Sequence, residues 1–309
     1  MRSSAVIEVE PLHAENHVAP LRERIRDYVL LTKPRIVLLF ALTGLSAMIM
    51  EGSLLNDPLK FALILVGIIL TAGSANALNQ YIDRDIDAVM ERTRKKRPLP
   101  AGRLTPQSAL LFGLITGTLA TAMLYFAGNA LTAAFGLGTI LYYIGIYTMW
   151  LKRRTPHNIV IGGAAGATAP LIGWAAASGD VSLGAFLMFA IIFMWTPPHF
   201  WALALCLKDE YKGVSVPMLP VVAGEEATRR QILGYTIAMV PLTLSLWFTG
   251  DCGMIYLVVA SILGAVFLMF AADLYRKRDT RSSWKLFGYS IAYLLVLYSA
   301  MIVDALVRA

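Results

Sequence analysis

The chain has 309 residues, 57% of them hydrophobic and only 15% charged, with a net charge of +7 and a mean hydropathy of +0.63. Soluble globular chains carry about 25% charged residues, and here nearly uncharged runs of about 18 residues or more recur, each enough to cross a hydrocarbon core as a helix. The runs are continuous and lack the alternation of a β-barrel, so the composition excludes a soluble domain and predicts an all-α polytopic membrane protein.

Residues 1–20 contain Glu8, Glu10 and Glu15 and no apolar core, which fits neither a signal peptide nor an acid-poor transit peptide. They are expected to form a disordered cytoplasmic tail in which His13 and His17 are solvated. Residues 21–33, "LRERIRDYVLLTK", predict a basic helix in the membrane interface. Nine spans follow, near 34–50, 59–81, 107–127, 130–150, 158–177, 183–206, 231–249, 254–272 and 285–304. Residues 21–309 are expected to form one transmembrane domain. Of the 27 Lys and Arg residues, 25 fall on the side of the N-terminus, and the other face has only Lys60 and Arg308. That bias predicts a cytoplasmic N-terminus and a periplasmic C-terminus, in a bacterial inner membrane. Together with anionic lipid it accounts for the net charge without nucleic acid. Cys206 and Cys252 fall near opposite faces, so no disulfide and no Cys metal site is expected.

The outer turns, such as "AGNA", "ASGDVS" and "TGDCGM", leave no room for chemistry. Two inner connections, 82–106 and 207–230, are long and carry both signs of charge. They place a site at the cytoplasmic face. In the first, Asn79, Asp83 and Asp87 recur every fourth residue and so share one helix face, with Asp85 opposite as a solvent or headgroup residue. A divalent cation would relieve the repulsion between the two carboxylates. Oxygen ligands without His or Cys favour Mg²⁺, which usually shares its shell with water and substrate phosphates. The basic run 92–97 can balance the remaining phosphate charge, although Arg94, Lys95 and Lys96 are also what topology alone would require. A diphosphate at the mouth of an apolar bundle implies a lipid tail inside it, as in an isoprenyl diphosphate, whose ionisation leaves an allylic cation.

These residues resemble a known family. "NQYIDRDID…ERTRKKRPLPAGR" is similar to the N-x-x-x-D-x-x-x-D motif of the UbiA superfamily of intramembrane aromatic prenyltransferases. "TPHNIVIGGAAGATAPLIGWAA", "WTPPHFWALAL" and "DEYKGVSVPMLPVVAG" resemble its heme branch, the protoheme IX farnesyltransferase (heme O synthase) family, from about residue 22 onward. The resemblance implies a nine-helix UbiA-like bundle, Mg²⁺ as cofactor, and heme B and farnesyl diphosphate as substrates. It also implies heme O as product, used downstream by heme A synthase or oxidase assembly. Asn79, Asp83 and Asp87 match the metal motif, and Arg92, Arg97 and Lys152 fall where basic residues surround the diphosphate. Most branches carry a second D-x-x-x-D after span six. Here Asp209 and Glu210 are adjacent with no acid at that spacing, so the resemblance implies no second metal pair, and Tyr211 and Lys212 are candidates for phosphate contact instead.

His157 and His199 lie at the inner ends of spans five and six. Each reads as a hydrogen-bonded structural residue, an axial ligand to heme iron, or a base for the added water. Trp195, Phe200 and Trp201 read as interface aromatics or as flanks of a porphyrin or carbocation. Pro197 and Pro198 predict a kink with freed carbonyls, and the small residues of "GGAAGATAPLIGWAAASG" predict close helix packing. Two other functions compete. One is a UbiA-type enzyme acting on a quinone precursor, which calls for an acid-binding Arg in the cavity. The other is a transporter or channel, which calls for ionisable groups near the bilayer midplane, where the spans are nearly free of charge.

Overall fold

A computed structural model describes residues 20–214 and 216–308. The expected tail, with His13 and His17, lies outside the described residues apart from Pro20. Helix α1 (Leu21–Leu31) leaves Leu21, Ile25 and Val29 exposed in one stripe and buries Asp27 and Leu31, the division expected of a helix lying in an interface. Lys33, at φ +55°, turns the chain into α2 (Pro34–Glu51).

Prolines and capping side chains set where the spans begin. Pro34, Pro58 and Pro106 occupy the first helical position, where the missing N–H costs nothing. Asp57 caps α3 (Pro58–Ile82), accepting from the Lys60 N–H at 3.0 Å. The first long connection holds α4 (Arg84–Val89) and α5 (Glu91–Arg94). Thr105 caps α6 (Pro106–Met123), which runs on as a π-helical turn to Gly128. Asn129 caps α7 (Ala130–Leu141), which continues as a π-helix over Tyr142–Leu151. Helices α8 (Asn158–Ala167) and α9 (Ala169–Ser178) form one span broken at Thr168. Ser182 caps α10 (Leu183–Cys206), which passes through Pro197 and Pro198 without ending, so the carbonyls of Phe193 and Met194 lack their usual backbone donors. The second long connection holds α11 (Lys208–Gly213) and α12 (Leu219–Val222), before α13 (Gly224–Phe248), α14 (Met254–Lys277) and α15 (Thr280–Arg308).

Among the described residues, nine helices are long and apolar enough to cross a membrane, and no strand occurs. The first six match the expected bounds within one residue. The seventh begins at Gly224 rather than 231, the eighth runs to Lys277 rather than 272, and the ninth covers Thr280–Arg308 rather than 285–304. The added turns carry Glu225, Glu226, Arg229, Arg276 and Arg281. Hydropathy registers only the part of a helix in hydrocarbon, whereas the backbone goes on bonding internally into the headgroup layer.

First and last spans meet, with Ser46 of α2 donating to the Tyr298 carbonyl of α15 at 3.1 Å. Three fully buried tyrosines fasten the C-terminal spans. The hydroxyl of Tyr256 donates to the Thr243 carbonyl at 2.6 Å, that of Tyr298 to the Met188 carbonyl at 2.7 Å, and that of Tyr293 meets the Thr243 hydroxyl at 2.8 Å. Such bonds contribute about 0.6 kcal/mol each in membranes. The glycine run packs as expected at Gly173, where an added Cβ would lie 2.4 Å from the Gly44 carbonyl oxygen, so α2 and α9 touch backbone to backbone. At the far end from the long connections, Asp304 of α15 accepts from the N–H groups of Gly253 (2.5 Å) and Tyr256 (3.2 Å), capping α14. Arg308 donates to the carbonyls of Gly250 and Asp251 at 3.0 and 3.1 Å.

Candidate active site

Helix α3 breaks formally at Asp83, yet the Asp83 N–H still bonds to the Asn79 carbonyl and the Asp87 N–H to the Asp83 carbonyl, both at 2.9 Å. The four-residue spacing therefore keeps its helical meaning. Asn79, Asp83 and Asp87 are all buried, at 3%, 0% and 3% exposure, while Asp85 faces outward. Asp85 is more than a solvated acid, because Arg153 pairs with both of its carboxylate oxygens at 2.7 Å. That guanidinium holds the Asp85 carboxyl down to about 2.

The buried stripe is ringed by cations. Lys152 donates to Asp83 Oδ2, Arg97 to Asp87 Oδ2, and Lys33 to Asn79 Oδ1 at 2.8 Å. The Asn79 amide in turn donates to Asp83 Oδ2 at 2.7 Å and to the Thr148 hydroxyl at 3.1 Å. Burial first, then Arg97 and Lys152, push the Lys33 ammonium well below the ordinary lysine range, while Asp83 and Asp87 pull it back up. So Asn79, Asp83, Asp87, Arg97 and Lys152, each expected from the sequence, come together from three stretches of chain, and Lys33 adds a fourth.

The other expected residues are placed less uniformly. The Arg92 backbone N–H donates to Glu210 at 3.4 Å, which brings the two long connections together, and its buried Nε has no partner. Tyr211 packs half-buried with Ile86, Met90 and Phe200. Asp209 and Lys212 are exposed, as is His157 at the start of α8. His199 is buried, its ring stacked between Trp195 (4.3 Å between centroids) and Phe287 (4.8 Å). A porphyrin therefore has no free face of this imidazole to stack on. Trp195 donates to the Ser290 carbonyl at 2.8 Å, and Trp201 meets Tyr235 edge-on, so these two aromatics are buried in the bundle rather than set at the membrane interface.

The sequence reading missed Lys33 and Thr148. Lys33 counts as one more topogenic base in "TKPR", and its position beside Asn79 depends on a left-handed turn that no local pattern predicts for lysine. Thr148 has no signal in the sequence, because its approach depends on the π-helical register.

The site fits a hard divalent cation in a shared shell. Asp83 Oδ1 is buried and accepts no hydrogen bond. Two carboxylates and one amide oxygen are too few for an all-protein cage. Among the described residues no group of three or more His, Cys, Asp or Glu could hold a metal ion. Such a donor set suits Mg²⁺ completed by phosphate oxygens. Nothing comparable marks Asp209 and Glu210 as a second metal site.

A helical bundle with oxygen ligands and clustered cations at one end of its spans is the arrangement of an intramembrane prenyltransferase, and the chain belongs to the UbiA prenyltransferase family, whose sequence profile matches residues 37–297. Among its relatives, the protoheme IX farnesyltransferase of Symbiobacterium thermophilum is 49% identical over 91% of this chain and 94% of its own. That of Gloeobacter violaceus is 48% identical over 95% and 96%. The bundle also superposes on a digeranylgeranylglyceryl phosphate synthase with a TM-score of 0.76 at 18% identity, covering 92% of this chain and 99% of that one. A UbiA homologue of Archaeoglobus fulgidus bound to DMAPP and Mg²⁺ gives 0.63 at 16% identity, covering 88% and 99%.

Proposed function

We propose that the chain transfers the farnesyl group of farnesyl diphosphate to a vinyl group of heme B, with addition of water, giving heme O and diphosphate. The observation that carries the chemistry is the buried Asn79–Asp83–Asp87 stripe ringed by Lys33, Lys152 and Arg97. Relatives that are protoheme IX farnesyltransferases at 47–49% identity support the acceptor and disfavour a quinone precursor.

Asn79, Asp83 and Asp87 would hold Mg²⁺, which when bound offsets charge on the departing diphosphate. Lys152, Arg97 and Arg153 stand close enough to the stripe to bind phosphate oxygens, with Arg92 beside the second connection. Tyr211 and Lys212 frame the diphosphate from the other side. The C1–O bond of farnesyl diphosphate breaks to leave diphosphate and an allylic cation that the spans keep from water, and the vinyl carbon then joins C1. The new cation beside the porphyrin takes hydroxyl from water, releasing a proton. In its cellular setting the domain, residues 21–309, sits in a bacterial inner membrane, and heme O passes to heme A synthase or oxidase assembly. Purified protein given heme B, farnesyl diphosphate and Mg²⁺ is expected to yield heme O by mass analysis. Prenylation of a hydroxybenzoate or naphthoate in its place would overturn the assignment.

His199 is the better candidate for heme iron or for the water proton. Ser290 commits its hydroxyl proton to the Phe287 carbonyl at 2.6 Å, so its oxygen accepts from His199 Nδ1 at 2.7 Å. Nε2 then carries the lone pair, the form that ligates iron or takes a proton. His199→Ala is expected to shift the Soret band and weaken heme binding if Nε2 ligates iron. If Nε2 handles the proton, turnover falls with heme binding intact. His157→Ala should stay near wild type. Normal spectra and turnover in both variants would leave neither histidine a role.

Orientation is tested by labelling. In a chain with Cys206 and Cys252 replaced by Ser, cysteines at Ser182 and Thr249 should label from the periplasm and one at Ser108 from the cytoplasm. Thr228, which the basic-residue bias also marks as cytoplasmic, is fully buried and would not report. The exposed neighbour Glu226 replaces it. Labelling of Glu226→Cys from outside would overturn the placement of both long connections on one face.

A further inference from the structure

We propose that Thr148 is a positioning residue that fixes which end of the Asn79 amide faces the cation. The inference rests on the metal–diphosphate reading of the site. An Asn side chain has an oxygen at one branch and an NH₂ at the other, nearly equal in shape, and only the oxygen can ligate a cation. A metal motif that begins with Asn therefore needs something to hold the amide one way round.

Three neighbours do so. Lys33, donor-only as an ammonium, meets Oδ1 at 2.8 Å. Asp83 is acceptor-only and meets Nδ2 at 2.7 Å. The Thr148 hydroxyl meets Nδ2 at 3.1 Å. A hydroxyl can donate or accept, so Thr148 orients the amide only if its proton is committed elsewhere. It is: Oγ1 donates to the Tyr143 carbonyl at 2.8 Å, leaving only lone pairs toward Asn79. That bond reaches five residues back because Tyr142–Leu151 is π-helical, a register also seen in the Lys152 N–H bonding to the Tyr147 carbonyl at 2.8 Å. Such segments recur at functional sites.

Lys33 and Asp83 differ from Thr148 in one respect. Both are charged groups that a metal–diphosphate complex would itself engage, the ammonium through phosphate oxygens and the carboxylate through the cation. Thr148 is uncharged and fully buried. It competes for neither, so it keeps its hold on the amide whichever partners the other two take.

The test uses the purified full chain with Mn²⁺ and inorganic diphosphate as probes, followed by electron paramagnetic resonance. Thr148→Val is expected to weaken Mn²⁺ binding by about three- to tenfold, the range of one lost neutral hydrogen bond. Thr148→Ser, which keeps the hydroxyl, should restore it and covers the case of a Val variant that does not fold. In an Asn79→Asp background the two carboxylate oxygens are equivalent, so the Thr148→Val penalty should vanish or reverse. Wild-type affinity in Thr148→Val, or an equal penalty in both backgrounds, would overturn the positioning role while leaving the site's reading intact. Failure of the wild-type chain to bind Mn²⁺ with diphosphate would overturn the metal–diphosphate reading and this role with it.

Discussion

Asp83→Ala and Asp87→Ala are each expected to lower turnover by at least about a hundredfold, whereas Asp85→Ala should stay within a few-fold. Each of the first two removes a buried charged oxygen from a site whose chemistry is electrostatic, where losing one such group costs about 10²–10³ in rate. Each also strands a cation, since Asp83 holds Lys152 and Asp87 holds Arg97. Breaking a buried pair costs about 3–5 kcal/mol of stability, so the alanine variants should also melt earlier. Asp83→Asn and Asp87→Asn preserve volume and separate the two effects: turnover should still collapse, with a smaller shift in melting. Asp85 has its side chain 60% exposed, and its pair with Arg153 is screened. Comparable losses at positions 83, 85 and 87, measured as farnesyl transfer to heme B, would refute the one-faced stripe.

The second large effect is expected in packing. Gly173→Val should destroy the folded bundle or lower its melting midpoint by many degrees, while Gly166→Val should be tolerated. Both glycines belong to the same run, but their surroundings differ. A Cβ at 173 would sit 2.4 Å from the Gly44 oxygen and 3.1 Å from Met48 Cγ, whereas nothing lies within 4 Å of a Cβ at 166. The atom in the way at 173 is backbone, so relief requires α2 and α9 to separate. Overpacking costs about 1–3 kcal/mol even where side chains can yield, and here they cannot. Thermal unfolding in detergent with size-exclusion chromatography checks the pair, and equal behaviour would remove the backbone contact as the cause.

Much of this molecule is written in its sequence. Membrane helices must satisfy their own backbone and bury apolar side chains, so hydropathy locates them. The Asn79 stripe was legible because helical periodicity needs no tertiary information. Lys33, Thr148 and the surroundings of His199 were not legible, for a shared reason. Each depends on which helix lies opposite: α1 turning at a left-handed lysine, a π-register in the fourth span, Phe287 arriving from α15. Trp195, Phe200 and Trp201 read alike in the sequence, but the rings that stack on the His199 imidazole are Trp195, one turn away, and Phe287 of the last span. The spans extending into charged residues at Gly224 and Thr280 escaped because hydropathy measures the solvent a helix prefers, not where its hydrogen bonds stop.

The cap that Asp304 places on α14, with Arg308 on the neighbouring turn, has a mechanical consequence. It rivets the ends of α13, α14 and α15 farthest from Asn79 through bonds to Gly250, Asp251, Gly253 and Tyr256. The opposite ends of α13 and α14 are tied as well, Arg229 donating to the Arg278 carbonyl at 3.3 Å and Arg278 pairing with Glu226 at 3.8 Å. With these spans held at both ends, widening at the site falls to the long connections, which meet through the 3.4 Å hydrogen bond between Arg92 and Glu210 and the packing of Tyr211 on Ile86 and Met90.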